Sequence, residues 1–180
     1  MAKSKDDLLL NQALELRASW DKQIAVLRTV FESGKGRRDV FSLRSEADMK
    51  DYDDDFDYKG TEKMLKTLET KRVKLNQAIQ LCNFGTSFPY CGETVSLAEA
   101  LELRKALMAD IEAISGRCAK SAFKEIVHKE ERDIVYRPRQ NFNETWNEYR
   151  EHLEELRELN NLIHAQNQMV PVKFKDESVT

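Results

Sequence analysis

Apolar residues recur at spacings of three and four along two stretches of the chain that also share a five-residue string. The string ALELR stands at residues 13–17 and again at residues 100–104. This periodicity predicts two amphipathic helices, each with one buried seam. The seam residues of the two helices are Leu10, Ala13, Trp20, Ile24, Leu27 and Phe31, and Leu97, Ala100, Leu107, Ile111 and Ile114.

A weaker repeat follows each stretch. The segments LNQAIQLCN at residues 75–83 and LNNLIHAQN at residues 159–167 both read L-N-x-x-I-x-x-x-N. Each lies late in a predicted helix, at about residues 61–82 and about residues 143–168. The chain is therefore predicted to hold two copies of helix–loop–helix, about residues 5–83 and about residues 96–168, in a single helical domain over residues 1–180.

A lone amphipathic helix cannot bury its own apolar stripe, so the two copies are expected to pack together. The expected fold is mainly all-α, an elongated antiparallel four-helix bundle or coiled coil made from the two repeats. Two β-prone linkers, FGTSFPYCGETV and DIVYRPRQNF, occupy matching places in the two copies. The first linker is compatible with a short hairpin or an irregular turn, and one expected arrangement is that the two linkers pair with each other.

Helix-start signals set the expected boundaries. Ser96 and Glu99 form a capping-box pattern at the start of the third helix. Thr61 and Asn143 are the expected N-caps of the second and fourth helices. Residues 32–60 are expected to form a long charged loop, and residues 171–180 a flexible tail.

Composition narrows the class of protein. A net charge of −3 and a pI of about 5.7 argue against a nucleic-acid partner. The stretch ERDIVYRPR could still form a local basic patch, so nucleic-acid binding stays open as a third possible function. No apolar run approaches the roughly 18 residues of a membrane span, and the first residues lack an apolar signal core. We therefore expect a cytoplasmic protein with no membrane partner. The three cysteines form no C-x-x-C pair, so buried or half-buried free thiols are expected.

Each ALELR string ends in an arginine that helical spacing places in the apolar seam. Because an unpaired buried guanidinium costs several kcal/mol, Arg17 and Arg104 need partners. The expected partners are Asn76, Asn160, a seam-edge glutamate such as Glu69, or a bound anion. Three interpretations stay open: a polar layer that fixes the register of the helices, arginines that extend to the surface, and a shared anion site.

The basic stretch SGKGRR is a second candidate for anion contact. It carries Lys35, Arg37 and Arg38 around two glycines, but it lacks the Walker pattern, and a solvated basic turn is the plainer interpretation. The candidate ligand-binding residues are therefore Arg17, Arg104, Lys35, Arg37, Arg38, Asn76 and Asn160.

Acidic residues near the end of the 32–60 loop match part of a calcium-loop count. The match comprises Asp51, Asp53, Asp55, Asp57 and Glu62, but Phe56 stands where a calcium loop requires glycine. A solvated acidic segment explains these residues better than a calcium site.

One half of a helical di-metal motif is also present. Glu125 and His128 supply one Glu-x-x-His, but Asn161 replaces the glutamate of the second copy before His164. No nucleophile motif and no convincing acid pair accompany it. We therefore expect no metal, no cofactor and no catalytic residue.

The chain resembles the septicolysin-like family of uncharacterised bacterial helical proteins. The resemblance is carried by SLAEALELR, by the preceding linker closed by Gly92, and by a last helix rich in leucine and asparagine. It extends over about residues 8–170 except for residues 32–60, where this chain looks longer and more charged. The resemblance implies an elongated helical fold with short strands, and it offers no catalytic residues to carry over.

These features predict a non-enzymatic helical binding or scaffolding protein that acts as a homo-oligomer. Several apolar residues exceed what four helices need in a core, and helical bundles of this kind associate through spare faces. These residues are Leu8, Leu9, Val30, Phe41, Phe56 and Phe88. The alternative is a binder of an anionic small molecule such as a nucleotide, which would use the seam arginines and the basic glycine-containing loop.

Overall fold

A computed structural model describes residues 8–34, 55–129 and 132–174. These residues form four helices: α1 (Leu10–Gly34), α2 (Tyr58–Gly85), α3 (Leu97–Ser121) and α4 (Phe142–Met169). They also form six short strands: β1 (Leu8–Leu9), β2 (Ser87–Tyr90), β3 (Glu93–Ser96), β4 (Glu125–Lys129), β5 (Arg132–Tyr136) and β6 (Pro171–Val172). The mainly helical class predicted from periodicity is confirmed.

The strands form three separate antiparallel ribbons. Strand β1 pairs with β6, β2 with β3, and β4 with β5. The expectation that the two linkers pair with each other is wrong, because the first linker folds into its own hairpin and the second pairs with β4, which directly precedes it. Short connections favour this outcome, since closing a two-residue loop costs far less chain entropy than joining segments that lie distant in sequence.

The chain divides into two compact units. The first unit comprises Met1–Cys82 and Met169–Thr180, and the second comprises Asn83–Gln168. Within its described part, the first unit contains α1, α2 and the β1–β6 ribbon, and the second contains the β2–β3 hairpin, α3, the β4–β5 hairpin and α4.

The sequence repeat marks equivalent core positions in the two units. Leu10 and Ala13 of α1 are fully buried, and so are their counterparts Leu97 and Ala100 of α3. The second repeat behaves in the same way. Its buried positions are Leu75 and Ile79 in the first unit and Leu159 and Ile163 in the second.

Each unit also begins its first helix from a ribbon. The backbone N–H of Leu10 donates a 2.9 Å hydrogen bond to the carbonyl of Val170, and that of Leu97 donates a 2.8 Å bond to the carbonyl of Thr86. In both cases the acceptor is the residue that directly follows a helix, α4 or α2. These bonds satisfy one of the amides that a helix start leaves without an intrahelical partner.

Helix starts confirm one predicted cap and correct two. Ser96 and Glu99 form the predicted capping box at the start of α3. Helix α2 begins before Thr61, and the side chain of Asp57 accepts a 2.9 Å bond from the Gly60 amide instead. Helix α4 begins before Asn143, whose amide donates to the side chain of Asn141. Both earlier caps extend their helices by a few residues because Asp and Asn are equally good N-caps.

Residues 171–174 do not belong to a flexible tail. Val172 is fully buried in β6, and Phe174 packs edge-to-face on Trp20 with ring centroids 6.0 Å apart. These two apolar side chains hold the segment on the first unit. Both ends of the predicted 32–60 loop are helical instead, because α1 extends to Gly34 and α2 starts at Tyr58.

Candidate functional site

The first seam arginine lies between α1 and α2 and has a protein partner. Arg17 is half-buried, and its Nη1 donates a 3.0 Å hydrogen bond to Oδ1 of Asn76. This pairing is one of those predicted. It favours a polar layer over an arginine held open for a ligand, since the amide oxygen already occupies part of the guanidinium fork.

Two ion pairs continue this polar contact along the same helix pair. Arg72 donates to Asp21 at 2.8 Å, and Arg28 donates to Glu69 at 2.6 Å. The expected role of Glu69 as a partner of a seam arginine is wrong, because Glu69 pairs with the more exposed Arg28. The four side chains border a groove of about 420 Å³, in which each arginine already faces a carboxylate. Such a lining offers an anion little net positive charge.

The second seam arginine differs from the first. Arg104 and Asn160 are both half-buried, in α3 and α4 of the second unit. Among the residues that the structure describes, neither side chain makes a hydrogen bond or an ion pair. The two repeats therefore share the position of the arginine, but the hydrogen bond between Arg17 and Asn76 has no counterpart between Arg104 and Asn160.

The other candidate residues lie before α2 or near its start. Lys35, Arg37 and Arg38 lie outside the described residues, as do Asp51 and Asp53 of the calcium-loop count. Two later members of that count have other roles, because Asp57 caps α2 and Glu62 forms a 2.7 Å ion pair with Lys66. The hydrogen bond to Glu62 raises the pKa of Lys66.

The half motif for a di-metal site is on a strand rather than a helix. Glu125 and His128 both belong to β4, where a spacing of three places side chains on opposite faces of the ribbon. His128 instead contacts Asp133 across the hairpin, with 2.7 Å between Nδ1 and Oδ1. Within residues 8–34, 55–129 and 132–174, no cluster of three metal-ligating side chains occurs.

The hairpin between α3 and α4 pairs the β-prone second linker with a strand, β4, that the sequence analysis does not predict. Strand β4 pairs with β5 over five residues, from Glu125 opposite Tyr136 to Lys129 opposite Arg132. The apolar pair Ile126 and Val135 lies on one face and is 52% and 49% exposed. The alternation of EIVHK was the available signal, but it is too short to distinguish a strand from a helix by periodicity.

A second exposed apolar surface lies on α4. The residues Phe142, Trp146, Tyr149 and Leu153 follow one another at helical spacing, and we call them the α4 stripe. The rings of Phe142 and Trp146 stack at 6.2 Å, and those of Trp146 and Tyr149 at 5.6 Å. Trp146 is 44% exposed and Leu153 39% exposed, whereas the buried residues of α4 are Thr145, Leu159 and Ile163.

The apolar residues singled out for association are mostly elsewhere in the structure. Phe88 belongs to the core of the second unit, and Leu8 and Leu9 are half-buried in β1. Val30 and Phe56 are also half-buried, and Phe41 lies outside the described residues. The large apolar side chains that are exposed are therefore different from those expected.

Two further contacts stabilise the second unit. Arg117 of α3 donates a 2.6 Å hydrogen bond to Glu148 of α4, and the hydroxyl of Tyr90 donates a 3.1 Å bond to Glu155. Burial, and then this bond to Glu155, raise the pKa of Tyr90, because ionisation would place a second negative charge beside the carboxylate. Tyr90 therefore acts as a neutral hydrogen-bond donor between the β2–β3 hairpin and α4.

Comparisons with known proteins establish the fold alone. No protein-family model matches the chain, and no curated protein matches it. The chain is similar to the crystal structure of a functionally unknown conserved protein from Corynebacterium diphtheriae, with a TM-score of 0.68 and 17% sequence identity over 93% of this chain and 100% of that one. The resemblance to the septicolysin-like family stays a prediction. None of the described helices has the length and apolar character needed to cross a membrane.

Proposed function

We propose that the protein is a non-enzymatic helical binding or scaffolding protein that acts in the cytoplasm through self-association. The observation that carries the proposal is the α4 stripe. Its spacing is that of a buried helix seam, yet about two-fifths of the surface of Trp146 and of Leu153 is exposed in the single chain. Exposed aromatic residues in a contiguous patch are characteristic of protein–protein interfaces.

The surroundings of the stripe support this proposal. Seven of the sixteen large apolar side chains exposed in the described residues lie in the stretch of sequence from Phe123 to Leu153 in the second unit. Homo-oligomers with two-fold symmetry are the commonest assemblies, and a net charge of −3 opposes the approach of two copies only weakly. The antiparallel four-helix bundle predicted from the repeat remains part of this proposal.

Sedimentation velocity at micromolar concentration tests the proposal. We expect the wild-type chain to sediment as a dimer or larger oligomer. The double variant Trp146→Ser, Leu153→Ser should shift it to the monomer without loss of helical circular dichroism, since both side chains are exposed. Leu81→Ser, at an exposed residue of α2, is the matched control and should leave the oligomer intact. A wild-type monomer would contradict the proposal.

A second candidate function is the binding of an anionic small molecule. It is favoured by Arg104, whose half-buried guanidinium has no polar partner among the described residues. A thermal-shift screen with nucleotides and phosphorylated metabolites tests it, because a ligand at a hundredfold excess over its dissociation constant stabilises a protein by about 2.7 kcal/mol. Any stabilising compound should lose its effect in Arg104→Met and retain it in Arg150→Met, which removes an exposed arginine. A screen in which no compound raises the melting temperature contradicts this candidate.

A further inference from the structure

The β4–β5 hairpin lacks the support that a two-stranded ribbon normally needs. No side chain of either strand whose exposure is described is buried, and only Val127 and Ile134 are half-buried. Ile126 and Val135 are about half exposed on one face, and Tyr136 is 55% exposed on the other. An isolated two-stranded hairpin is at best marginally stable in water, and three or more strands with an apolar face are needed for stability.

Both edges of the ribbon are open in the described chain. Each strand has one hydrogen-bonded neighbour, so the outer edge of each presents unpaired N–H and C=O groups. Strand β5 is followed closely by Pro138, which has no N–H and limits pairing beyond it. Strand β4 has no proline and pairs with β5 without a bulge, so its outer edge is the better template for another strand.

The sequence of β4 is complementary to itself when it is reversed. In an antiparallel pairing of EIVHK with a second EIVHK centred on Val127, position 125 stands opposite position 129. The sequence places glutamate at 125 and lysine at 129, so opposite charges face each other twice. Ile126 stands opposite His128, and the two valines meet at the centre.

We infer that β4 pairs antiparallel with β4 of a second copy of this chain, about a two-fold axis at Val127. The resulting sheet has the order β5–β4–β4–β5. It places the exposed Ile126 and Val135 of both copies on one face of a four-stranded sheet. A stable sheet needs three or more strands with an apolar face, and the four-stranded sheet has both, whereas the lone hairpin has only two strands. This inference rests on the proposed self-association and adds the outer edge of β4 to the α4 stripe as a second contact between the two copies.

Charge reversal tests the pairing in the full-length protein. Glu125→Lys places lysine at both positions, and Lys129→Glu places glutamate at both, so each single variant faces like charges twice in a homodimer. We expect each to raise the dimer dissociation constant at least about tenfold. The double variant Glu125→Lys, Lys129→Glu restores the opposite charges and should recover the wild-type constant.

A mixture of the two single variants provides a sharper result. In a mixed dimer, lysines of one copy face glutamates of the other at both places, so the mixture should associate although each component alone is mainly monomeric. A hairpin that had simply unfolded would not recover in this way. If the wild type is a dimer but the single variants dimerise equally well, the β4 pairing is overturned while the proposed self-association stands. A monomeric wild type overturns both.

Cysteine cross-linking tests the position of the axis. In a background with Cys82, Cys91 and Cys118 replaced by alanine, Val127→Cys should form an intermolecular disulfide under mild oxidation. The reason is that residue 127 of one copy lies directly opposite residue 127 of the other, and the distance between their Cβ atoms is then about the distance that a disulfide requires. Ile134→Cys, at the position paired with Val127 on β5, is the control and should not cross-link. Equal cross-linking at both positions would overturn the proposed axis.

Discussion

Nη1 of Arg17 donates a 3.0 Å hydrogen bond to Oδ1 of Asn76, and this bond joins α1 to α2 beside the core of the first unit. Asn76→Leu removes the acceptor, so the half-buried Arg17 loses its hydrogen-bond partner. We expect the free energy of unfolding to fall by about 1–2 kcal/mol, as measured by urea denaturation.

The second repeat supplies a matched control for that substitution. Asn160 holds the position equivalent to Asn76 and is half-buried, but within the described chain it accepts no hydrogen bond. Asn160→Leu should therefore change the free energy of unfolding by less than about 0.5 kcal/mol. Equal losses for the two variants would show that the Arg17 contact contributes nothing specific.

The capping box of α3 makes part of its stability dependent on pH. Hydrogen bonds from the backbone and side chain of Ser96 hold the pKa of Glu99 below its usual value of 4.5. Because the folded-state pKa is the lower one, the stabilisation is present above about pH 4.5 and is lost as the pH falls through the lowered pKa.

Two variants separate the parts of this cap. Ser96→Ala should lower the free energy of unfolding by about 1 kcal/mol at pH 7. Glu99→Gln keeps a hydrogen-bonding side chain without the charge, so its difference from the wild type should shrink as the pH falls from 5 towards 3. Urea titrations at several pH values measure both effects, and a difference that is independent of pH would refute the charged cap.

The turn of the β2–β3 hairpin holds a residue in a conformation that its side chain disfavours. Cys91 has φ of 49° and Gly92 has φ of 83°, the pattern of a two-residue hairpin loop with both central residues left-handed. Asparagine tolerates this region much better than cysteine. Cys91→Asn should therefore raise the free energy of unfolding by about 0.5–1 kcal/mol, and Cys91→Val should lower it. Thermal unfolding under reducing conditions checks the order of the three proteins.

The segment after α4 contributes to the core of the first unit. Phe174 is buried and contacts Trp20, so Phe174→Ala should lower the free energy of unfolding by about 3 kcal/mol and change the tryptophan fluorescence. Phe84→Ala removes an exposed ring of the same size and should cost less than about 0.5 kcal/mol. Similar losses from the two variants would refute the packing of Phe174.

Periodicity in the sequence predicts the helical part of the core. Every fully buried leucine of the helices had been placed on a seam or in one of the two repeated patterns, because helical spacing and burial are directly linked. The capping box was equally readable, since both of its hydrogen bonds occur within four residues. The cost of burying a guanidinium predicts that Arg17 has a partner, but it does not distinguish Asn76 from the other candidates.

The sequence could not show which surface covers each seam. Trp146 and Leu153 have the spacing of buried residues, but burial depends on a partner that spacing does not specify. Sequence analysis places Phe88 among the apolar residues available for association, whereas the structure buries it. Its burial requires a tertiary contact of the hairpin, which no local sequence pattern encodes. Strand β4 was missed since five residues with a glutamate and a histidine three apart fit a helix as readily as a strand.

Because β1 pairs with β6, the two units cannot complete their folding at the same stage of translation. The second unit is one continuous segment, so all of it is translated before β6. The first unit cannot place Val172 and Phe174 until that last strand emerges, and until then the N–H of Leu10 has no Val170 carbonyl to bond. The segment that is translated first is therefore the one whose folding is completed last.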